Sequence, residues 1–152
     1  GDHGWFLGDS ALWAKHAPLE RALKSTLMIR APGVAEAGLK SAALVETVDI
    51  YPTLIDLCQP AFRKTEYPLD GKSLKPILTG EETEIREAAL SYWNNAVRVR
   101  TQQYRMTASM KRGKPTKIEL YDITENPDPV ENLAKSEPKV VEKLSKFLPG
   151  EK

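Results

Sequence analysis

The sequence predicts an α/β chain: its first half ends a helix-and-strand core, and its second half forms a small antiparallel sheet covered by one helix. Three observations predict it. A short apolar run at 27–29 precedes apolar residues at helical spacing over 50–58. From residue 90 the pattern changes to four strand-like runs separated by short turns. Helical spacing then returns once, over 140–148. The division falls near residue 83, with 1–82 as the end of the core and 83–152 as the sheet and helix.

In chain order, residues 1–24 hold no sustained period and read as an irregular loop with one helical turn. Leu27-Met28-Ile29, stopped by Pro32-Gly33, reads as a buried strand, and Ala43-Leu44-Val45 as a second one. A helix follows: Asp49 can cap it, and Pro52 falls in the tolerated first turn. Its apolar face is Ile50, Tyr51, Leu54, Ile55, Leu57 and Cys58. Residues 59–72 are a loop punctuated by Pro60, Pro68 and Asp70-Gly71, after which Ser73 caps a short helix closed by Gly80. Strands are expected at 90–93, 96–101, 104–109 and 118–121. The turns between them are Asn94-Asn95, Gln102-Gln103 and 111–115, and turns this short make an antiparallel meander. Ser136 caps the last helix, whose face is Val140, Val141, Leu144, Phe147 and Leu148; Pro149-Gly150 stops it.

Composition narrows the function. At 152 residues and 41% hydrophobic, the chain can bury a core without metal or disulfide, and 28% charge does not make it a disordered one. A net charge of +1 argues against a dedicated nucleic-acid binder, and no apolar run approaches the roughly 20 residues of a membrane span. Cys58 is the single cysteine, so no internal disulfide forms. It sits on the apolar face of its helix and reads as a buried structural thiol. The opening at Gly1-Asp2-His3-Gly4, without Met, reads as the inside of a longer protein.

That opening is also the first candidate site. Asp2 offers a hard oxygen and His3 an imidazole, while the flanking glycines let backbone approach an ion closely. The same four residues also fit an ordinary strand-end turn with a solvated carboxylate. The whole run, Gly1 to His16, is rich in Trp, His, Lys and Gly and reaches Lys15. Such a loop needs a reason to be ordered, and a metal at one end with an anionic group against Lys15 at the other supplies one. His16 either touches the same ligand or is a plain exposed histidine. Residues 88–118 hold seven bases (Arg98, Arg100, Arg105, Lys111, Arg112, Lys114, Lys117) and no acid. They read as a solvated hairpin face balanced by the acids that follow, with an anionic glycan as the alternative ligand. Trp93-Asn94-Asn95 reads as turn chemistry.

Taken together and in order, these segments resemble the sulfatase family, of the iduronate-2-sulfatase and choline-sulfatase type. The resemblance rests on Asp2-His3-Gly4, Leu7-Gly8-Asp9, Trp13-Ala14-Lys15 and the 25–33 stretch ending in Pro32-Gly33. It continues through 48–54, Leu69-Asp70-Gly71-Lys72-Ser73-Leu74, 97–104, Glu119-Leu120-Tyr121-Asp122 and Glu131-Asn132-Leu133-Ala134. Ser10-Ala11 depart from the His-Gly common in the family.

The resemblance implies the C-terminal part of an alkaline-phosphatase-like α/β sulfatase fold, with a small antiparallel sheet plus C-terminal helix subdomain. It implies a sulfuric ester hydrolase using a formylglycine nucleophile made from Cys or Ser in a Cys/Ser-x-Pro/Ala-x-Arg motif, beside a divalent cation, usually Ca2+. Asp2 and His3 would be metal ligands completing a site begun elsewhere; Lys15 would be catalytic and would bind substrate with His16. The implied partners are a sulfated small molecule or glycan and the missing N-terminal part of the same protein, with no nucleic acid and no membrane. Family habit implies a periplasmic, secreted or lysosomal protein. Cys58-Gln59-Pro60 imitates the nucleophile motif but has Phe62 where Arg is required, so this chain alone is expected to be inactive. Two rivals stand beside this reading: a phosphate-ester or phosphonate hydrolase of the same superfamily, and a non-catalytic binding module.

Overall fold

The computed structural model describes residues 1–61, 67–127 and 129–150. Its strands and helices are β1 (Phe6–Leu7), β2 (Trp13–Ala14), α1 (Glu20–Leu23), α2 (Ile50–Cys58) and α3 (Lys75–Thr79). These are followed by β3 (Ala89–Trp93), β4 (Ala96–Arg100), β5 (Tyr104–Lys111), β6 (Lys114–Asp122) and α4 (Pro138–Ser145). Two compact units result, Gly1–Leu27 with Ala88–Lys152, and Met28–Glu87. Contact, rather than chain order, thus groups the opening loop with the late sheet.

In the first unit, β3-β4-β5-β6 form the antiparallel meander, and β1 pairs with β2 in a separate hairpin. The third turn of the meander is tighter than expected. The strands run on to Lys111 and restart at Lys114, leaving Arg112 and Gly113 at φ 52° and 76°. Left-handed backbone at both central positions is what a two-residue hairpin needs to match strand twist. Alternation then gives the sheet two faces. Val99, Met106 and Leu120 lie in register across β4, β5 and β6, fully buried with Leu144 of α4. Val140, Val141, Phe147 and Leu148 pack around them as expected from the helical spacing. Ser136 is not the cap of α4, however: its hydroxyl donates to Leu133 O at 3.2 Å, and Glu137 takes the cap position.

The second face carries Arg98, Arg100 and Arg105, and it is not a solvated hairpin surface. Arg98 is 1% exposed and Arg105 5%. The Arg105 guanidinium lies 4.5 Å over the Tyr121 ring, its partner across the β5–β6 register. Basic residues on a strand are read as solvated from sequence because nothing local shows what covers them; here the opening loop meets Arg98 and Arg100, while Arg105 lies on Tyr121 and reaches Pro127 O at 3.5 Å.

In the second unit α2 is held by polar groups at helical spacing. Asp49, fully buried, accepts the backbone N–H of Glu46 at 2.7 Å and of Lys72 at 2.8 Å and pairs with Arg86. Burial pushes the Asp49 carboxyl up, while the Lys72 N–H works against that. One turn on, Thr53 donates to Asp49 O at 2.6 Å and accepts from Leu74 N at 2.8 Å. Asp56 accepts from Ser73 at 2.7 Å and from Lys75 at 3.3 Å. Gly80 closes α3 at φ 76°, as the sequence implied, but Leu74 and not Ser73 takes the N-cap position, although the Ser73 hydroxyl accepts the Lys75 N–H at 3.2 Å.

That polar face turns inward, so the apolar stripe does not. Ile50, Tyr51 and Leu54 are exposed, and Cys58 is an exposed thiol rather than a buried one. Nor do 27–29 and 43–45 form strands, and Met28 is 87% exposed. A three-residue apolar run becomes a strand only beside another strand, and none pairs with either among the described residues. Phe62 and Arg63 lie outside the described residues.

Thr53→Val in the full-length protein is expected to cost about 1–2 kcal/mol, because the Leu74 N–H then stays buried without an acceptor. Thr53→Ser keeps both bonds and should cost less; urea unfolding of the two variants makes the check.

Candidate functional site

The opening loop folds back on itself through left-handed backbone. Gly8 (φ 106°), Ser10 (54°), Ala11 (57°) and Ala14 (70°) give the β1–β2 hairpin its tight return. Residues with a Cβ rarely adopt this region, and such conformations concentrate where a chain must aim side chains. Phe6, 1% exposed, anchors the hairpin. The return brings Lys15 to His3, with Nζ 2.7 Å from Nε2.

The bonding fixes the roles of the ring. His3 Nδ1 is 2.8 Å from Gly4 O, an oxygen that can only accept, so Nδ1 carries a proton and donates it. Nε2 then presents a lone pair in the neutral ring, and the Lys15 ammonium donates to it. Asp2 Oδ2 stands 3.5 Å from the same Nε2. The Asp2 carboxyl is held below its ordinary value, first by its own backbone N–H, with the Lys15 ammonium acting in the same direction. Asp2, His3 and Lys15 therefore converge: an anionic oxygen, an imidazole lone pair and an ammonium. His16 is turned elsewhere, its ring 5.7 Å from that of Trp93 at the β3–β4 turn. Trp93 thus does more than serve its turn.

As a metal centre this is one flank. The oxygen and the imidazole nitrogen suit a divalent cation, but no group of three or more His, Cys, Asp or Glu side chains is assembled among the described residues. The residues fit a site that further ligands would complete.

Backbone contacts hold the flank in place. The Gly4 N–H donates to Ala22 O at 2.8 Å, and a Cβ on Gly4 would fall inside the Arg21 carbonyl oxygen. Glycine is required there by approach, not by φ. Beyond α1, Arg98 of β4 donates to Pro18 O at 2.8 Å and pairs with Glu20, whose other oxygen meets Arg100 Nε at 3.3 Å. The structure brings together the three candidates Asp2, His3 and Lys15 that the sequence offered; the close approach at Gly4 is to the Arg21 carbonyl rather than to an ion, and the Glu20–Arg98 pair was not anticipated. The available signal was the Val97-Arg98-Val99-Arg100 alternation, which puts both arginines on one face.

Comparison with known proteins identifies the family. The family pattern described as N-sulphoglucosamine sulphohydrolase, C-terminal, matches residues 1–150. An N-acetylglucosamine-6-O-sulfatase of Bacteroides thetaiotaomicron is 30% identical over 146 residues, 87% of this chain and 25% of that protein. A choline-sulfatase of Rhizobium meliloti is 30% identical over 142 residues, 89% of this chain and 26% of its own length. A solved structure, captured with its substrate D-glucosamine-2-N,6-O-disulfate, superimposes with a TM-score of 0.80 at 25% identity. It covers 96% of this chain and 31% of that one. The chain thus spans between a quarter and a third of these relatives. A pattern matched from the first residue to the 150th, on a fold shared almost end to end with a solved relative, settles the lineage: the chain belongs to the sulfatase family, as its C-terminal domain.

Proposed function

We propose that this chain is the C-terminal portion of a sulfuric ester hydrolase acting on sulfated glucosamine units, with Asp2 and His3 as metal ligands and Lys15 as the cation at the sulfate. The observation that carries the reading is the convergence of Asp2, His3 and Lys15 around one imidazole nitrogen. The substrate class is supported by the solved relative, whose bound substrate carries both N- and O-linked sulfate. The formylglycine nucleophile and the remaining ligands belong to sequence outside these residues.

A divalent cation, calcium by family habit, would offset charge on the sulfuryl oxygens when bound. The chain's own residues do the rest. Asp2 contributes anionic charge without needing to lose a proton near neutral pH. The Nδ1–H bond to Gly4 O fixes the His3 ring so that Nε2 faces the site. With a cation on Nε2 that lone pair would no longer be open to Lys15, whose ammonium then donates to a sulfate oxygen or to the bridging oxygen, where negative charge grows as the ester bond breaks. His16 is turned to Trp93 and away from Lys15, so the contact with the sulfate falls to Lys15.

The full-length enzyme should release inorganic sulfate from a sulfated glucosamine, lose that activity to EDTA and regain it with calcium. It should not release phosphate comparably from the matching sugar phosphate. Faster phosphate than sulfate release would favour the phosphate-ester rival. The 152 residues alone should give the uncatalysed rate and bind calcium no tighter than about millimolar, since two side chains leave most of its 6–8 ligand positions to water.

A further inference from the structure

We propose that Glu20 and Arg98 are positioning residues, which fix Lys15 and the Asp2-His3 pair by fastening the opening loop to the second face of the β3–β6 sheet. The proposal rests on the site reading above, and on a continuous run of contacts. Arg98 is 1% exposed, and both of its terminal nitrogens are committed to the loop, one to Pro18 O at 2.8 Å and one to Glu20. Arg98 Nε, also buried, has no acceptor among the described residues, so the side chain is held by these two contacts. Glu20 opens α1, and α1 delivers Ala22 O to the Gly4 N–H at 2.8 Å. Gly4 O in turn receives His3 Nδ1, and His3 Nε2 receives Lys15 Nζ.

Without a bound cation Lys15 is fastened ahead by the His3 contact; the fastening that remains when a cation takes Nε2 is directly behind it, where His16 lies on Trp93 and Pro18 on Arg98. Trp93 and Arg98 belong to adjacent strands of one sheet face, so the sheet sets where the ammonium stands. Neither Glu20 nor Arg98 needs to touch substrate. Misplacement of a reacting group by about 1 Å can cost on the order of a hundredfold, so a fastening of this kind is visible in rate.

The test is a double-variant cycle in the full-length enzyme. Glu20→Gln keeps an oxygen for Arg98 but removes the charge; it should lower kcat by about tenfold while KM moves less than about threefold. Placed in a Lys15→Ala background, it should lower kcat by clearly less than about tenfold, because one of the residues it positions is gone and only the Asp2-His3 pair is left to misplace. A full tenfold loss in that background, or an unchanged kcat in a folded Glu20→Gln enzyme, overturns the proposal. If Glu20→Gln does not fold, Arg100→Gln replaces it in the cycle. Arg100 meets the outer oxygen of the same carboxylate, and the same non-additive pattern is expected with a smaller loss. Additive losses, or none, overturn the proposal there too. A separate readout survives failure of the sulfatase reading. By 15N NMR the His3 ring should hold one tautomer in wild type and average between two in the Glu20 or Arg100 variant. An identical ring signal in both contradicts the fastening whatever the enzyme hydrolyses.

Discussion

Lys15→Ala in the full-length enzyme is expected to lower kcat by on the order of a hundredfold or more and to raise KM much less. Charge on the bridging and leaving oxygens of a sulfate ester grows toward the transition state, so a cation placed there stabilises it more than the bound substrate. Lys15→Arg should recover only part of the loss. A planar fork cannot reproduce a compact ammonium donating to one oxygen, and it would not seat as readily against His3 Nε2. Lys24, exposed and nine residues further on, is the matched control and should tolerate Ala. Steady-state kinetics of the three variants decide the matter. Turnover near wild type with Lys15→Ala would remove Lys15 from the chemistry.

Gly4→Ala is expected to damage both stability and activity, by about 3 kcal/mol and by a hundredfold or more. The new methyl would collide with the Arg21 carbonyl oxygen, a backbone atom that cannot rotate away. Overpacking costs typically 1–3 kcal/mol, and the upper end applies because α1 must move or the Gly4–Ala22 hydrogen bond must break. Either movement carries His3 away from Lys15, so activity should fall in molecules that remain folded. Thermal melts paired with rates at a temperature where the variant is fully folded separate the two losses. Gly33→Ala, with nothing within 4 Å, tests only the cost of a left-handed φ of 77° and should leave kcat unchanged.

What the sequence disclosed depended on whether the covering partner was local. The meander and α4 were readable because each strand's neighbour follows it directly, and because Val140, Leu144 and Phe147 repeat at helical spacing. The extra length of β5 and β6 was not, since only Gly113 marks their turn. On α2 two stripes competed, and the apolar one was preferred. Asp49, Thr53 and Asp56 repeat at helical spacing just as well, and the Lys72 and Leu74 N–H groups and the Ser73 hydroxyl, all needing acceptors, decided which stripe turns in. The site residues were readable as a motif, but their convergence was not. It depends on left-handed backbone at Ser10, Ala11 and Ala14, and no residue type there announces it. Arg98 and Arg105 misled for the opposite reason, since their partners lie far away in the chain or across a strand pair.

The distance in sequence between Glu20 and Arg98 has a consequence for how the molecule comes together. The sheet joins strands through turns of a few residues, so its ladder can form by local closure and quickly. The Glu20–Arg98 pair closes a span of 78 residues, and its entropic cost is met only once both ends have surfaces to offer. The expected order of assembly is therefore sheet first and opening loop last, with the loop leaving first in unfolding. A population can then carry a native sheet without the convergence of Asp2, His3 and Lys15. Far-ultraviolet circular dichroism would count such molecules as folded, and an activity assay would not.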